Sequence, residues 1–268
     1  MSGKTKVLVI GLDCAGPELV FDRFKDELPN LSAMMDNGIY GELESCHPPI
    51  TIPAWAVMFT GKNLGKLGLY GFRHRKENSY TDFYIATSQF VREPAVWDIA
   101  SKYGKKSCVV GVPPSYPPKP LNGYMISCFI TPDTAKDYTY PSSLRYEVER
   151  LVGKYVFDVE FRTEERKKLL RELYDMTEKR FKVLRHLMLE KPWDLFIFVE
   201  IGVGHLLRVA WIARLLARNG TIVLCSFVSP YRSVRAKIRK IVEEEVPFIE
   251  VFVRCSLEEA MRRDPKGL

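Results

Sequence analysis

A chain of 268 residues, 46% hydrophobic and 27% charged with a formal charge of +7, has the make-up of a soluble protein with room for one large domain or two small ones. Its most apolar stretch, residues 195–217, holds Glu200, His205, Arg208 and Arg214, all costly in lipid, so a strand and a buried helix are expected there and a membrane span is not. The six cysteines (Cys14, Cys46, Cys108, Cys128, Cys225 and Cys255) form no C-x-x-C pair and the N-terminus does not read as a signal peptide; a cytoplasmic protein with reduced thiols, without disulfides or a cysteine zinc site, is expected.

Residues 6–12 (KVLVIGL) are a continuous apolar run rich in Val and Ile, the pattern of a parallel strand buried on both faces. The run ends at Asp13, and the carboxyl end of the first strand of an open α/β sheet is where ligands bind in that architecture. Followed by Cys-Ala-Gly-Pro, Asp13 can equally cap the next helix. Residues 17–28 and 31–37 read as helices, the second ending near Gly38, and 41–45 as a strand. In HPPITIPAW, Pro49 and Pro53 bracket an extended Ile-Thr-Ile, because each proline fixes its own φ and pushes the residue before it out of the α region. An apolar helical run, 54–60, begins just behind. The Thr51 hydroxyl is thereby placed at a helix N-terminus, whose free N–H groups and positive dipole end suit an anionic phosphate. The plainer alternative is an N-cap threonine.

Further along, residues 93–103 read as a helix, 107–111 as a buried strand, and VPPSYPPKPLNG as a loop. Residues 163–191 form a long amphipathic helix, with Leu169, Leu170, Leu173, Tyr174, Met176, Phe181, Leu184 and Leu187 close to a 3.6 period and a basic face read as solvated. Residues 193–201 (WDLFIFVEI) are a second buried strand.

Residues 6 to about 75 carry strand-Asp13, LPNLSAMMDNG, GELESCHPPITIPAW, FTGKN and GLYGF in this order. In this the chain resembles archaeal type I phosphodiesterases/nucleotide pyrophosphatases of the alkaline phosphatase superfamily. The resemblance implies hydrolysis of phosphodiester or nucleotide pyrophosphate bonds with two divalent metal ions, Zn or Mn. Asp13 would bind one metal, and Thr51, itself a metal ligand, would attack phosphorus to give a covalent phospho- or nucleotidyl-threonine. The physics agrees, since a neutral hydroxyl is a poor nucleophile until a metal lowers its pKa, and two cations about 4 Å apart steady both attacking and leaving oxygens. By the same analogy residues from about 76 to 162 include a cap-like insertion. The family's next ligands, an Asp and a His, should follow residues 193–201. The chain reads Gly204-His205-Leu206-Leu207-Arg208 instead, with no aspartate. Two zinc-like sites want roughly three imidazoles with several carboxylates. His47, His74, His186 and His205 give no convincing set, so the metal site is expected to be incomplete and activity impaired.

Residues 205–268 resemble something unrelated, the middle and later part of an adenylylsulfate kinase: a helix over 205–219, a strand over 221–227, Ser229-Pro230-Tyr231-Arg232, a strand over 248–254 and RDPKGL. The resemblance implies transfer of phosphate from ATP with Mg to the 3′-hydroxyl of adenylyl sulfate in sulfate assimilation, with Ser229 and the Val228 backbone on the substrate side and Lys266 in a nucleotide-side segment. No G-x-x-x-x-G-K-[ST] loop exists in the sequence, so no phosphate cradle and no kinase activity are expected. Residues 204–268 hold 12 Lys and Arg against 7 Asp and Glu, a net +5. That excess suits an anionic partner such as nucleic acid, nucleotide or sulfate ester, or equally a set of solvated helix faces.

The expected fold is α/β, a mostly parallel sheet flanked by helices. Its N-terminal part is alkaline-phosphatase-like (1–203), and its C-terminal part (204–268) is a P-loop-kinase-like fragment without the P-loop. Three functional hypotheses stand side by side: a metal-dependent hydrolase, an adenylylsulfate kinase, and an inactive fusion of two gene fragments joined near residues 202–205. The partner expected is a nucleotide or phosphodiester small molecule, or adenylyl sulfate under the kinase alternative, with neither membrane nor nucleic acid bound.

Overall fold

The apolar run after Lys6 forms strand β1, Val7–Leu12, whose alternate residues leave on opposite faces. Leu8 and Ile10 enter one core and Val9 the other. The same split recurs in β5 (Ser107–Val110), where Cys108 and Val110 oppose Val109, and in β8 (Leu195–Glu200), where Phe196 and Phe198 oppose Ile197 and Val199. A strand apolar on both faces must be covered on both, and helices supply the cover. Residues of α1 (Pro29–Asn37), α5 (Leu144–Val152) and α6 (Arg166–Glu190) fill the first core, and residues of α2 (Thr51–Thr60) and α4 (Val96–Lys102) the second. This computed structural model describes residues 5–13, 17, 21, 25–27, 29–159, 166–201, 222–225 and 252–254.

The six-stranded sheet has the order β7-β6-β5-β8-β1-β9, with β6 at Gly123–Ile126, β7 at Thr139–Tyr140 and β9 at Ile222–Cys225. All neighbouring pairs are parallel except β6 with β7. The architecture is therefore the expected mostly parallel sheet flanked by helices. Two small sheets accompany it. β2 (Glu42–Glu44) pairs in parallel with β10 (Phe252–Arg254), and β3 (Arg73–Arg75) pairs antiparallel with β4 (Phe83–Ile85). A short helix, α3 (Leu64–Leu67), precedes the hairpin.

Several expectations shift in detail. The helix expected over 54–60 begins at Thr51, and only Ile50 keeps an extended backbone (φ −107°, ψ 144°). Pro53 sits in the first turn, where a missing N–H leaves no helical bond unmade. Gly61, at φ 64°, closes the helix with its N–H on the Val57 carbonyl. α1 starts two residues earlier than expected and α4 three residues later. The α6 helix keeps its period over Met176, Phe181, Leu184 and Leu187, all buried, but Tyr174 is exposed, and its polar side is not wholly solvated, because Arg180 is buried. Within 76–162, β6 and β7 belong to the main sheet. From the C-terminal quarter, β9 lies along the outer edge of β1, one strand beyond β8. Most of the helix expected over 17–28, all of that over 205–219, and His205, Val228, Ser229 and Lys266 lie outside the described residues. Among the described residues no helix is long and apolar enough to cross a membrane.

Candidate functional site

β1 and β8 run side by side, Leu12 opposite Glu200, and the Asp13 N–H donates to the Glu200 carbonyl at 3.0 Å. Asp13 is thus fixed at the carboxyl end of a central strand, where open α/β sheets place ligands. α2 is stacked on the same edge. Its first residue, Thr51, donates from Oγ1 to Asp13 Oδ2 at 3.2 Å, and Trp55, one turn on, donates from Nε1 to Asp13 Oδ1 at 2.9 Å. The two donors are the same turn's i and i+4 positions, so they share one helix face.

The helix can approach this closely because position 11 is a glycine. A Cβ there would stand 2.5 Å from Trp55 Cη2 and 2.9 Å from Val199 Cγ2. Trp55 is nearly buried and its ring stacks on Phe59, 5.8 Å between centroids. The N-cap residue is Ile50 and no side chain caps the helix. The N-cap reading of Thr51 is therefore corrected: its hydroxyl turns to Asp13, which also accepts from Trp55, while residues 14–16, which Asp13 would cap, lie outside the described residues.

Behind this pair lies a buried charge that sequence reasoning missed. Glu200 (4% exposed) accepts from Arg180 Nη1 (2% exposed) at 2.9 Å and from the Ile201 N–H at 3.0 Å, while Arg180 Nη2 donates to the Phe157 carbonyl at 3.4 Å. Burial opposes the charge on Arg180, but Glu200 and Tyr155 beside it outweigh that and hold the guanidinium protonated. Burial likewise pushes the Tyr155 hydroxyl up. Gly111 (φ 68°) lets β5 pass this pair, since a Cβ would stand 2.8 Å from the Val199 carbonyl and 3.7 Å from Arg180 Nη2.

Asp13 Oδ2 and Thr51 Oγ1 lie 3.2 Å apart, close enough to share one cation. Among the described residues no group of three His, Cys, Asp or Glu stands together to hold a metal. The described histidines are engaged elsewhere: His47 lies 3.0 Å from Glu44, His74 stacks on Tyr84, and His186 lies 2.5 Å from Glu147. Among the described residues the donors here are a carboxylate, already accepting an indole N–H, and a hydroxyl, fewer than the two-metal centre that the resemblance implied would need. Of the expected site residues, the structure brings Asp13 and Thr51 together. Val228, Ser229 and Lys266 lie outside the described residues. Trp55 was missed, although a tryptophan four residues after a candidate nucleophile in an apolar helix was a legible signal.

Comparison with known proteins divides the chain. The model of the type I phosphodiesterase/nucleotide pyrophosphatase family matches residues 7–209, and that of adenylylsulphate kinase matches residues 199–268. A probable adenylyl-sulfate kinase of Aeropyrum pernix is 69% identical over 70 residues, 26% of this chain and 38% of that protein. One of Archaeoglobus fulgidus is 53% identical over 60 residues, 22% of this chain and 37% of that protein. The bifunctional enzyme NodQ of Rhizobium meliloti is 49% identical over 75 residues, 28% of this chain and 12% of that one. The chain thus spans well under half the length of these curated relatives. Among solved structures, phosphonoacetate hydrolase from Sinorhizobium meliloti aligns with TM-scores of 0.46 and 0.49 at 13% identity, over 73% of this chain and 46% of that one. Because the first family model covers 203 of the 268 residues, the chain belongs to the type I phosphodiesterase/nucleotide pyrophosphatase family, and its last quarter carries an adenylylsulfate kinase fragment.

Proposed function

We propose that the Asp13–Thr51 pair is the nucleophile end of a centre that hydrolyses phosphodiester or nucleotide pyrophosphate bonds, working far below the rate of a complete one. The observation that carries this is the 3.2 Å hydrogen bond from Thr51 Oγ1 to Asp13 Oδ2 at the N-terminus of α2. Asp13 orients the hydroxyl and takes its proton as Thr51 Oγ1 bonds to phosphorus and the P–O bond to the leaving group breaks. The first-turn N–H groups of α2 face the anionic phosphoryl group. Water then cleaves the phosphothreonine, restoring Thr51, and the departing alkoxide is protonated by solvent. Zn or Mn offered to this pair would meet two protein donors among the described residues, and the low rate proposed rests on that shortfall.

The two family matches overlap at residues 199–209, which supports a join of two coding segments near 202–205, with 1–203 hydrolase-like and 204–268 kinase-like. No kinase step is proposed, because the sequence holds no phosphate loop.

The test is release of nitrophenol from bis(p-nitrophenyl) phosphate with Mn²⁺ or Zn²⁺, by wild type and by Thr51→Ala and Thr51→Ser. Slow turnover in wild type that drops at least about a hundredfold in Thr51→Ala, with part retained in Thr51→Ser, is the expected outcome. Equal rates in wild type and Thr51→Ala would overturn the assignment. So would an inert wild type whose intact mass shows no phosphothreonine adduct.

A further inference from the structure

The β3–β4 hairpin presents two different faces. His74 and Tyr84, paired across the strands, turn inward: the two rings stack at 5.5 Å, and Tyr84 stacks on Phe90 at 4.4 Å. The root is fastened beside α2, for Ala86 and Ile52 lie in one buried cluster with Phe90 packed against it. The other face is open. Arg73 is paired with Ile85 (54% exposed) and Arg75 with Phe83 (48% exposed), so each cation stands directly across from an exposed apolar side chain. Arg75 also lies over the ring of Tyr80 (86% exposed), 5.6 Å from its centroid. Arg73 has no ion-pair partner among the described residues.

Charge here exceeds what the rest of the chain would suggest. Residues 62–92 hold six Lys and Arg against two Asp and Glu, a net +4 in 31 residues of a chain whose total is +7. The same segment contains six aromatic residues. Cations alone would suit any anion, and exposed rings alone any apolar surface. An alternation of the two at cross-strand spacing suits a partner with phosphates and flat bases along one strand.

We propose that this outer face of the hairpin binds single-stranded nucleic acid, Phe83 and Tyr80 stacking on bases while Arg73 and Arg75 neutralise phosphates. The proposal does not rest on the Asp13–Thr51 chemistry. Sequence reading noted a basic excess only in residues 204–268 and expected no nucleic acid to be bound; the alternation on the hairpin is visible only once the strand register is known.

The test is fluorescence anisotropy of a fluorescein-labelled oligothymidylate titrated with the full chain at several salt concentrations. Binding is expected, with Arg73→Gln/Arg75→Gln lowering the magnitude of the log–log salt slope by about 1.4, the value for two phosphate contacts on a single strand. Phe83→Ala is expected to weaken binding at least about fivefold with the slope unchanged, which loss of charge cannot mimic. Thermal melting of each variant is expected to show unchanged midpoints at these exposed positions, and Lys102→Ala/Lys105→Ala should bind as wild type does. The proposal fails if no binding is seen, if Lys102→Ala/Lys105→Ala weakens binding as much as the hairpin variants do, or if phosphatidylglycerol vesicles are bound and the oligonucleotide is not.

Discussion

Asp13 illustrates how far a single residue can be read. Its place after an apolar run announced the carboxyl end of a strand, and HPPITIPAW announced a hydroxyl near a helix start. That the two would meet at 3.2 Å depends on Gly11, whose missing Cβ admits Trp55, and no pattern in the sequence ties position 11 to position 55. Arg180 was equally hidden. In a helix with alternating Lys, Arg and Glu it looked like one more solvated cation, and its burial against Glu200 follows only from how α6 lies on β8. A buried ion pair is costly to half-remove, because the remaining charge stays desolvated. Arg180→Met is therefore expected to lose about 3–5 kcal/mol in urea unfolding, while Arg180→Met/Glu200→Met recovers most of that loss. Equal destabilisation of single and double variants would show that the pair does not act as a unit.

At the scale of elements, strand existence and type were legible wherever an apolar run was buried on both faces, as in β1, β5 and β8. Helix starts were less so, since Pro53 looked like a boundary and is instead part of the first turn of α2. The hairpin was not seen at all, because RHRK and FYI are too short and too polar to show a two-residue period. Packing of α5 on α6 depends on a polar clasp in which Glu147 accepts from Lys191 at 2.7 Å and from His186 at 2.5 Å. Burial works against ionisation of Glu147, but these two hydrogen bonds overcome it and hold the carboxyl below its ordinary value of 4.5. A depressed carboxyl stabilises the fold above its unfolded-state pKa and loses that contribution as pH falls through the folded one. The melting-temperature gap between wild type and Glu147→Gln should accordingly be steady near neutrality and close below about pH 4.5. A gap that persists undiminished into stronger acid would mean that the carboxylate's charge is not what the clasp uses.

For the whole molecule, the α/β class followed from the alternation of buried strands and amphipathic helices, and the two family resemblances followed from motif content. The position of β9 did not follow, since a β-α-β order allows a strand beside β8 as readily as one beyond β1. β9 covers the outer edge of β1, the strand that carries Asp13. A chain ending at residue 203 would leave that edge unpaired, a template for other strands. It is expected to elute from size exclusion as oligomers and to melt earlier than the full chain. A monomer of undiminished stability would show that residues 222–225 are dispensable.

Main-chain ladders are blind to side-chain identity, for the four residues Ile222–Cys225 meet β1 through N–H and C=O groups that any extended apolar tetrapeptide could offer. A segment that pairs with a sheet edge has to match a spacing and a hydrophobicity rather than a particular sequence, so the edge of β1 constrains its neighbour loosely. Shape tolerates a change of edge strand more readily than chemistry tolerates a change of site, since a catalytic constellation demands particular atoms at particular distances.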